Sequence, residues 1–371
     1  MNFELGSAAM ETGCHRFWPP TRHGCWMKED FAAALATVIV TTFNRADLVT
    51  KGMDSVWGQS YRPIELIVVV DGATDNTQDV LERWRVARGG DSQFTTRIVF
   101  QENHGISAAR NRGLIESRGE FIQLLDDDDL LGPEKLALQL KYMAAHPECD
   151  MTYGATFTIG DESRVPNRSN QPVDRETALR YLVRTHFFNN NCPVFRRRTC
   201  HRAGPWHEGS LIAEDYEYYA RLLCLGITFA YVPEAEGFIQ PYDGNRKRSS
   251  YGGEPHRQHD FYRSRFIHLD CLWGYLPDDL RKQASWRRAI SKELLAVSKE
   301  LLLLGDAGLG KKGVGLSREI GRGTSYMTLV RLMMTLVAVF GPQAGARVFA
   351  TLQRRVGAIW RAIRGRKLTA V

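Results

Sequence analysis

The chain has 371 residues, 43% of them hydrophobic and 25% charged, the composition of an ordinary globular protein with room for two or three domains. That composition excludes a disordered, collagen-like or multi-span membrane chain. The net charge of +7 is concentrated at one end: residues 307–371 carry twelve Lys/Arg against one acid, Glu319, which leaves residues 1–306 at −4.

Residues 1–35 mix Gly, Pro, Trp, His and Cys without periodicity and read as an irregular extension, with regular structure expected from residue 36. Residues 37–41 are β-branched and apolar, a buried strand. A helix follows over 45–58, with Leu48, Met53, Val56 and Trp57 turned inward. The pattern repeats as strand 65–70, helix 75–88, strand 97–100, helix 107–117, strand 121–125 and a helix from Pro133 to about residue 145. Strand and helix in alternation predict an α/β fold with a mostly parallel sheet covered by helices. Ligands of such sheets bind outside the carboxyl ends of the strands, so the residues just beyond each strand carry the functional expectation.

The second half is less regular. It predicts a strand at 150–157, a helix at 175–186, a short apolar segment at 192–195, a helix at 214–225 stopped by Gly226, and short strands at 227–232 and 237–240. From residue 254 the chain reads as helical, including 277–304. Residues 305–323, rich in Gly and Lys/Arg, read as a linker. Residues 327–340 are apolar but fall short of the roughly 20 residues a spanning helix needs. Val348, Leu352, Val356, Ile359, Trp360 and Ile363 then form one helical stripe, with Arg354, Arg355, Arg361 and Arg364 largely off it. A basic amphipathic helix of this kind suits an anionic membrane surface, and it equally suits a helical domain packed on the body or on a second subunit. The seven cysteines are scattered, with no C-x-x-C, so free thiols in a reducing compartment are expected. Residues 1–20 lack an apolar signal core, so the expected location is cytoplasmic, with the tail peripheral at the inner face of the plasma membrane.

Three motifs sit at the predicted strand ends. Asp126-Asp127-Asp128-Asp129 follows strand 121–125 directly. Crowded carboxylates repel and call for protons or a cation, and a hard divalent ion such as Mn²⁺ or Mg²⁺ meets that need through oxygen ligands. The same run also fits a solvated acidic turn. Asp71-Gly72 closes strand 65–70, where a carboxylate can accept hydrogen bonds from a base or ribose, or where the segment is simply a turn with Asp75 or Thr77 capping the next helix. Asn103 to Gly113 places Gly105 and small residues at a helix start, with Arg110 and Arg112 behind them. That arrangement suits a diphosphate, and it equally describes a surface helix with arginines in water.

Taken together, V-I-V-T-T-F-N-R at 38–45, V-V-V-D-G-A-T-D at 68–75, N-H-G-I-S-A-A-R-N-R-G at 103–113 and D-D-D-D at 126–129 resemble the inverting family 2 glycosyltransferases over roughly residues 36–240. The resemblance implies the GT-A nucleotide-diphospho-sugar transferase fold and assigns roles by position. Thr42, Phe43, Asn44 and Arg45 would line the nucleotide site, Asp71 would contact the base, and Gly105 and Arg110 would lie near the nucleotide. Asp126 would face ribose or metal, Asp127 fills the middle of the motif and Asp128 would ligate the metal, although four consecutive acids leave the register open by one. Asp215, in a Glu-Asp pair opening a helix, would be the general base; as a plain acid at a helix N-terminus it would instead serve stability. Arg246 and Arg248 match a loop that closes over the diphosphate.

The chemistry so implied is transfer from a nucleotide-sugar, UDP-linked by preference, to a saccharide, lipid-linked or protein hydroxyl, in cell-surface polysaccharide or glycolipid biosynthesis. The alternative is a catalytically silent scaffold of the same fold at a membrane. No nucleic-acid partner is expected, since the body is acidic and lacks a reading motif. The implied organisation is an extension (1–35), a transferase domain (36–250, with nucleotide-sugar half 36–150 and acceptor half 151–250), a helical extension (251–306) and a basic amphipathic tail (307–371).

Overall fold

A computed structural model describes residues 26–27, 30–160, 170–240, 255–324 and 326–367. Arg246, Arg248, residues 1–25 of the predicted extension and the side chains of the stripe beyond residue 355 lie outside what is described. The chain divides into two compact units, Met1–Arg248 and Ser249–Val371.

In the first unit, β1 (Ala32–Thr42), α1 (Ala46–Trp57), β2 (Ile64–Asp71), α2 (Thr77–Ala87), β3 (Phe94–Gln101), α3 (Ile106–Glu116) and β4 (Gly119–Asp126) alternate as expected. The strands pair in parallel in the order β3-β2-β1-β4. The register sets Thr42 against Val70, Thr41 against Asp126 and Asp71 against Gln101. Four strand ends therefore share one edge of the sheet.

One face of the sheet packs Val38, Val40, Leu66, Val68 and Val70 with Val49, Met53 and Val56 of α1 and Leu81 and Trp84 of α2. The other gathers Ile67, Val69 and Val99 against Ala109 of α3. The glycine that closes the Arg-Asn-Arg-Gly run has a packing role: a Cβ on Gly113 would stand 2.3 Å from Ile39 Cγ2, so only glycine lets α3 lie this close to β1.

Beyond β4 the unit continues with β5 (Asp129–Leu131), α4 (Lys135–Ala145), β6 (Met151–Thr158), α5 (Arg175–Leu182), β7 (Pro193–Arg196), α6 (Arg197–Ala203), α7 (Asp215–Cys224) and β8 (Phe229–Ile239). These strands extend the sheet to eight in the order β3-β2-β1-β4-β7-β6-β8-β5. The joint is antiparallel: β7 pairs that way with both β4 and β6. The sheet is thus parallel in its first half and mixed in its second.

Several expectations are revised. β1 begins four residues early, because Ala32 already pairs with Gly119 before a register shift. The two short strands read at 227–232 and 237–240 are one strand, β8, whose pairing with β6 slips between Gly154 and Thr156. The helix α6 was not anticipated; its seven residues are too few to show a period.

The second unit is helical: α8 (Pro255–Tyr275), α9 (Asp278–Lys282), α10 (Ala284–Leu303), α11 (Ala307–Ile320), α12 (Met327–Phe340) and α13 (Pro342–Lys367). The predicted linker at 305–323 is mostly α11, and the reason is close packing. A Cβ on Gly310 would come within 2.5 Å of Leu302, and one on Gly313 within 2.2 Å of Ser298 Oγ. The glycines form the contact face with α10, and reciprocal bonds from Ser291 Oγ to Ser317 O (2.8 Å) and from Ser317 Oγ to Ser291 O (2.7 Å) fasten it. The helix thereby recovers in packing what its glycines lose in propensity. Among the described residues no helix is long and apolar enough to cross a membrane.

Overpacking this contact should be costly, since inserting methyl groups into a filled interface costs about 1–3 kcal/mol. Gly313→Val is expected to lower the urea midpoint of the full chain, whereas Gly315→Ala, at a helical position with nothing within 4 Å, should raise stability by about 0.4–1 kcal/mol.

Candidate active site

The turns at the shared sheet edge brace one another. Asn44 adopts φ 52°, a conformation asparagine tolerates better than most residues. Its Oδ1 accepts from the backbone N–H of Thr74 (2.6 Å) and Asp75 (3.3 Å), tying the first strand end to the second. Asp71 is 5% exposed and accepts from Gln101 Nε2 (2.8 Å), His104 N (2.9 Å) and Gly105 N (2.9 Å). Both the Asp71 carboxylate and the Gly105 N–H thus shape the β3–α3 loop. Thr42 is buried, and Phe43 stands exposed beside it.

The four consecutive acids alternate in environment. Asp127 and Asp129 are 6% and 7% exposed, while the side chains of Asp126 and Asp128 are 31% exposed. Asp129 opens β5 and pairs with Ile239 of β8. Arg45 Nη1 donates to both Asp127 Oδ1 (2.9 Å) and Asp128 Oδ2 (2.7 Å). Burial pushes the Asp127 carboxyl up to about 7, against the pull of Arg45 and with a further push from Asp128. For Arg45, burial works against the charge, but the two carboxylates outweigh it and its pKa is raised.

Arg110 lies behind this turn, 2% exposed. Its Nη2 donates to Asp126 Oδ1 at 2.8 Å and its Nη1 to Glu214 Oε1 at 2.5 Å. The guanidinium also sits 4.5 Å from the ring centroid of Trp206. Burial disfavours this cation, yet Asp126 and Glu214 more than compensate, so it is permanently charged. The next residue, Asn111, exchanges hydrogen bonds with the Trp206 backbone: Nδ2 to O at 3.0 Å, and N to Oδ1 at 2.7 Å. Consecutive residues of α3 therefore hold the 206–214 segment against the strand ends. Arg112 stays outside this network, paired with Glu116 at 2.7 Å.

Asp215 follows Glu214 and opens α7. The preceding Ala213 has φ 57°, a strained value for alanine that turns the chain sharply into the pair of acids. Burial and the neighbouring Glu214 carboxylate push Asp215 up to about 8; Arg110 opposes this and Asp126 adds to it. Those influences put Asp215 in the same charge network as the end of β4. Asn190 closes the ring, donating to Asp126 Oδ2 (3.3 Å) and accepting from Tyr219 OH (3.0 Å).

The site therefore unites Arg45, Arg110, Asp126, Asp127, Asp128 and Asp215, with Thr42, Phe43, Asn44, Asp71 and Gly105 in the adjoining turns. Glu214, Asn190 and Trp206 join it without having been picked out as site residues. Only Glu214 carried a signal, as the neighbour of Asp215; the other two come from segments with no period.

Whether these residues suit a divalent cation turns on their donor set. Among the described residues no group of three or more His, Cys, Asp or Glu could hold a metal by itself. Mg²⁺ and Mn²⁺ nonetheless need only one or two carboxylates when a diphosphate and water supply the remaining oxygens. Asp126 and Asp128 are the partly exposed oxygen donors; Arg45 engages only Oδ2 of Asp128, while Arg110 and Asn190 each hold one oxygen of Asp126. The residues fit a cation shared with a bound diphosphate, not a self-contained metal centre.

Residues 37–202 match the family model described as "Glycosyl transferase family 2". The amylovoran biosynthesis glycosyltransferase AmsE of Erwinia amylovora is 25% identical over 201 residues, covering 53% of this chain and 73% of that protein. Chondroitin synthase of Pasteurella multocida is 27% identical over 194 residues, 52% of this chain but 19% of that one. Among solved structures, S. aureus TarS 1-349 in complex with UDP-GlcNAc superposes with a TM-score of 0.52 at 16% identity, covering 81% of this chain and 91% of that chain, a likeness of fold.

Removing the central cation should strand the buried Glu214 carboxylate and leave the partly exposed Asp126 unpaired from Arg110. Arg110→Met is expected to cost about 3–5 kcal/mol in urea unfolding, with part of the loss recovered when Glu214→Gln is added.

Proposed function

We propose, for a chain that carries a family 2 glycosyltransferase domain over residues 37–202, that it transfers a sugar from a nucleotide-diphospho-sugar to an acceptor hydroxyl by a single displacement that inverts the anomeric carbon. The observation that carries this reading is the position of Asp215: a carboxyl with a raised pKa, linked through Glu214 and Arg110 to the acid turn that ends β4.

In this reading the acceptor hydroxyl approaches Asp215. A carboxylate of raised pKa is a stronger base than an ordinary one, and it takes the proton as the hydroxyl oxygen attacks. The anomeric carbon gains oxocarbenium character, and the leaving diphosphate gains charge. Asp126 and Asp128 would hold Mn²⁺ or Mg²⁺, which supplies neutralisation of that charge when bound. Arg110 serves as a fixed positive anchor for Asp126 and Glu214, keeping the acid turn and the base in register. Phe43 offers an exposed ring to a planar base. A growing surface saccharide is the favoured acceptor, in keeping with relatives named for amylovoran biosynthesis and chondroitin synthesis. UDP-sugars are the donors to test first.

Four measurements test the reading. Thermal shifts with a panel of nucleotide-sugars, with and without Mn²⁺, should single out one donor, because stabilisation grows with ligand concentration over its dissociation constant. Asp128→Ala should abolish the Mn²⁺-dependent part of that shift. Asp215→Asn should leave the shift in place and cut transfer by about 10²–10⁴-fold. For the wild type, the base form is depleted below its pKa, so kcat/KM should climb with pH and level off above about 8. A fully active Asp215→Asn protein would remove the assignment of the base.

A further inference from the structure

The second unit has a surface that the transfer reaction does not use. Its core gathers Leu295, Leu302, Val314, Val330, Met333, Leu336, Ala346 and Phe349. The residues of α12 and α13 turned away from that core mix large apolar side chains with threonine, glutamine and arginine. On α12, Leu329, Leu332, Val339 and Phe340 are 36%, 37%, 66% and 54% exposed; on α13, Val348 and Leu352 are 37% and 39% exposed. On the same two helices Arg331, Arg347, Arg354 and Arg355 are exposed as well. From residue 320 to residue 371 the sequence contains no acid at all. Two of the threonines among the apolar residues are already satisfied: Thr335 Oγ1 donates to Arg331 O (3.1 Å) and Thr351 Oγ1 to Arg347 O (3.0 Å), so covering them strands neither hydroxyl proton.

We propose that the α12–α13 hairpin docks this protein on an anionic phospholipid bilayer, with its exposed leucine, valine and phenylalanine side chains in the interfacial region and its arginines on the lipid phosphates. Charge complementarity selects this occupant. A second copy would bring two acid-free, arginine-bearing faces together, and like charges oppose that contact. Mixed apolar and basic residues on one helix are the pattern of interfacial helices, which lie in the membrane plane. Spanning is ruled out for α12 by its 14 residues, about 21 Å of helix against a hydrocarbon core of about 30 Å. The inference concerns the second unit alone and stands whether or not the proposed transfer reaction does.

The test is co-sedimentation of the full chain with vesicles of phosphatidylcholine alone and with roughly one third phosphatidylglycerol. Binding to the anionic vesicles only, weakened as salt rises, is the expected result. Two paired substitutions separate the contributions: Val339→Asp with Phe340→Asp, and Arg354→Glu with Arg355→Glu. Each pair should lower the partition coefficient about tenfold or more while thermal unfolding stays unchanged, since all four residues are exposed. Equal binding to both vesicle types, binding to neither, or binding indifferent to both pairs would overturn the proposal. So would a dimer in light scattering that Val339→Asp with Phe340→Asp converts to monomer without any vesicle binding, because the face would then belong to a second copy.

Discussion

A buried arginine with a carboxylate on each side organises the first unit's site. Arg110 is removed from water, a state that costs several kcal/mol unless its charge is met. It is met from two directions in the chain, by Asp126 at the end of a parallel strand and by Glu214 at the start of α7. With the β4–β7 ladder, that ionic bridge fastens the irregular second half of the sequence to the regular first half at the place where ligands of such sheets bind. Trp206 beneath the guanidinium and Asn190 beside Asp126 complete the enclosure.

The consequences reach the neighbouring residues. Because Arg110 occupies Asp126 and Glu214, Asp215 is left next to a carboxylate in a buried setting, and its pKa rises. Because Arg45 bridges Asp127 and Asp128, the acid turn carries its own internal counter-charge, yet keeps Asp126 and Asp128 partly exposed on either side of buried Asp127. Two arginines thus sort three of the four adjacent acids, while Asp129 is placed by the start of β5. Repulsion among the acids is relieved by pairing in some and by burial with a raised pKa in Asp127.

The second unit is built on a different economy. Gly310 and Gly313 are placed where α11 meets α10, and Ser291 and Ser317 bond across the same contact. The outer faces of α12 and α13 set exposed leucine, valine and phenylalanine among arginine, threonine and glutamine. A face so composed is poorly suited to bulk water and well suited to an interface of apolar and anionic character.

The alternating strands and helices up to α4 were legible in the sequence, because buried parallel strands announce themselves as unbroken β-branched runs and the helices between them as apolar periods. The motifs at the strand ends were legible for the same reason: once the strands are located, the residues just beyond them are known to share an edge. The sequence could not say which of four identical aspartates face solvent, since that depends on how the turn enters β5 and on where Arg45 reaches. Nor could it show that Arg110 serves two acids rather than an open groove, because Glu214 lies 104 residues away. Glycine-rich α11 was misread as a linker because propensity is a local quantity, whereas the contact that makes those glycines favourable lies on α10. Local chemistry is written along the chain; the pairing of distant charges and the close approach of backbones exist only after folding has brought them together.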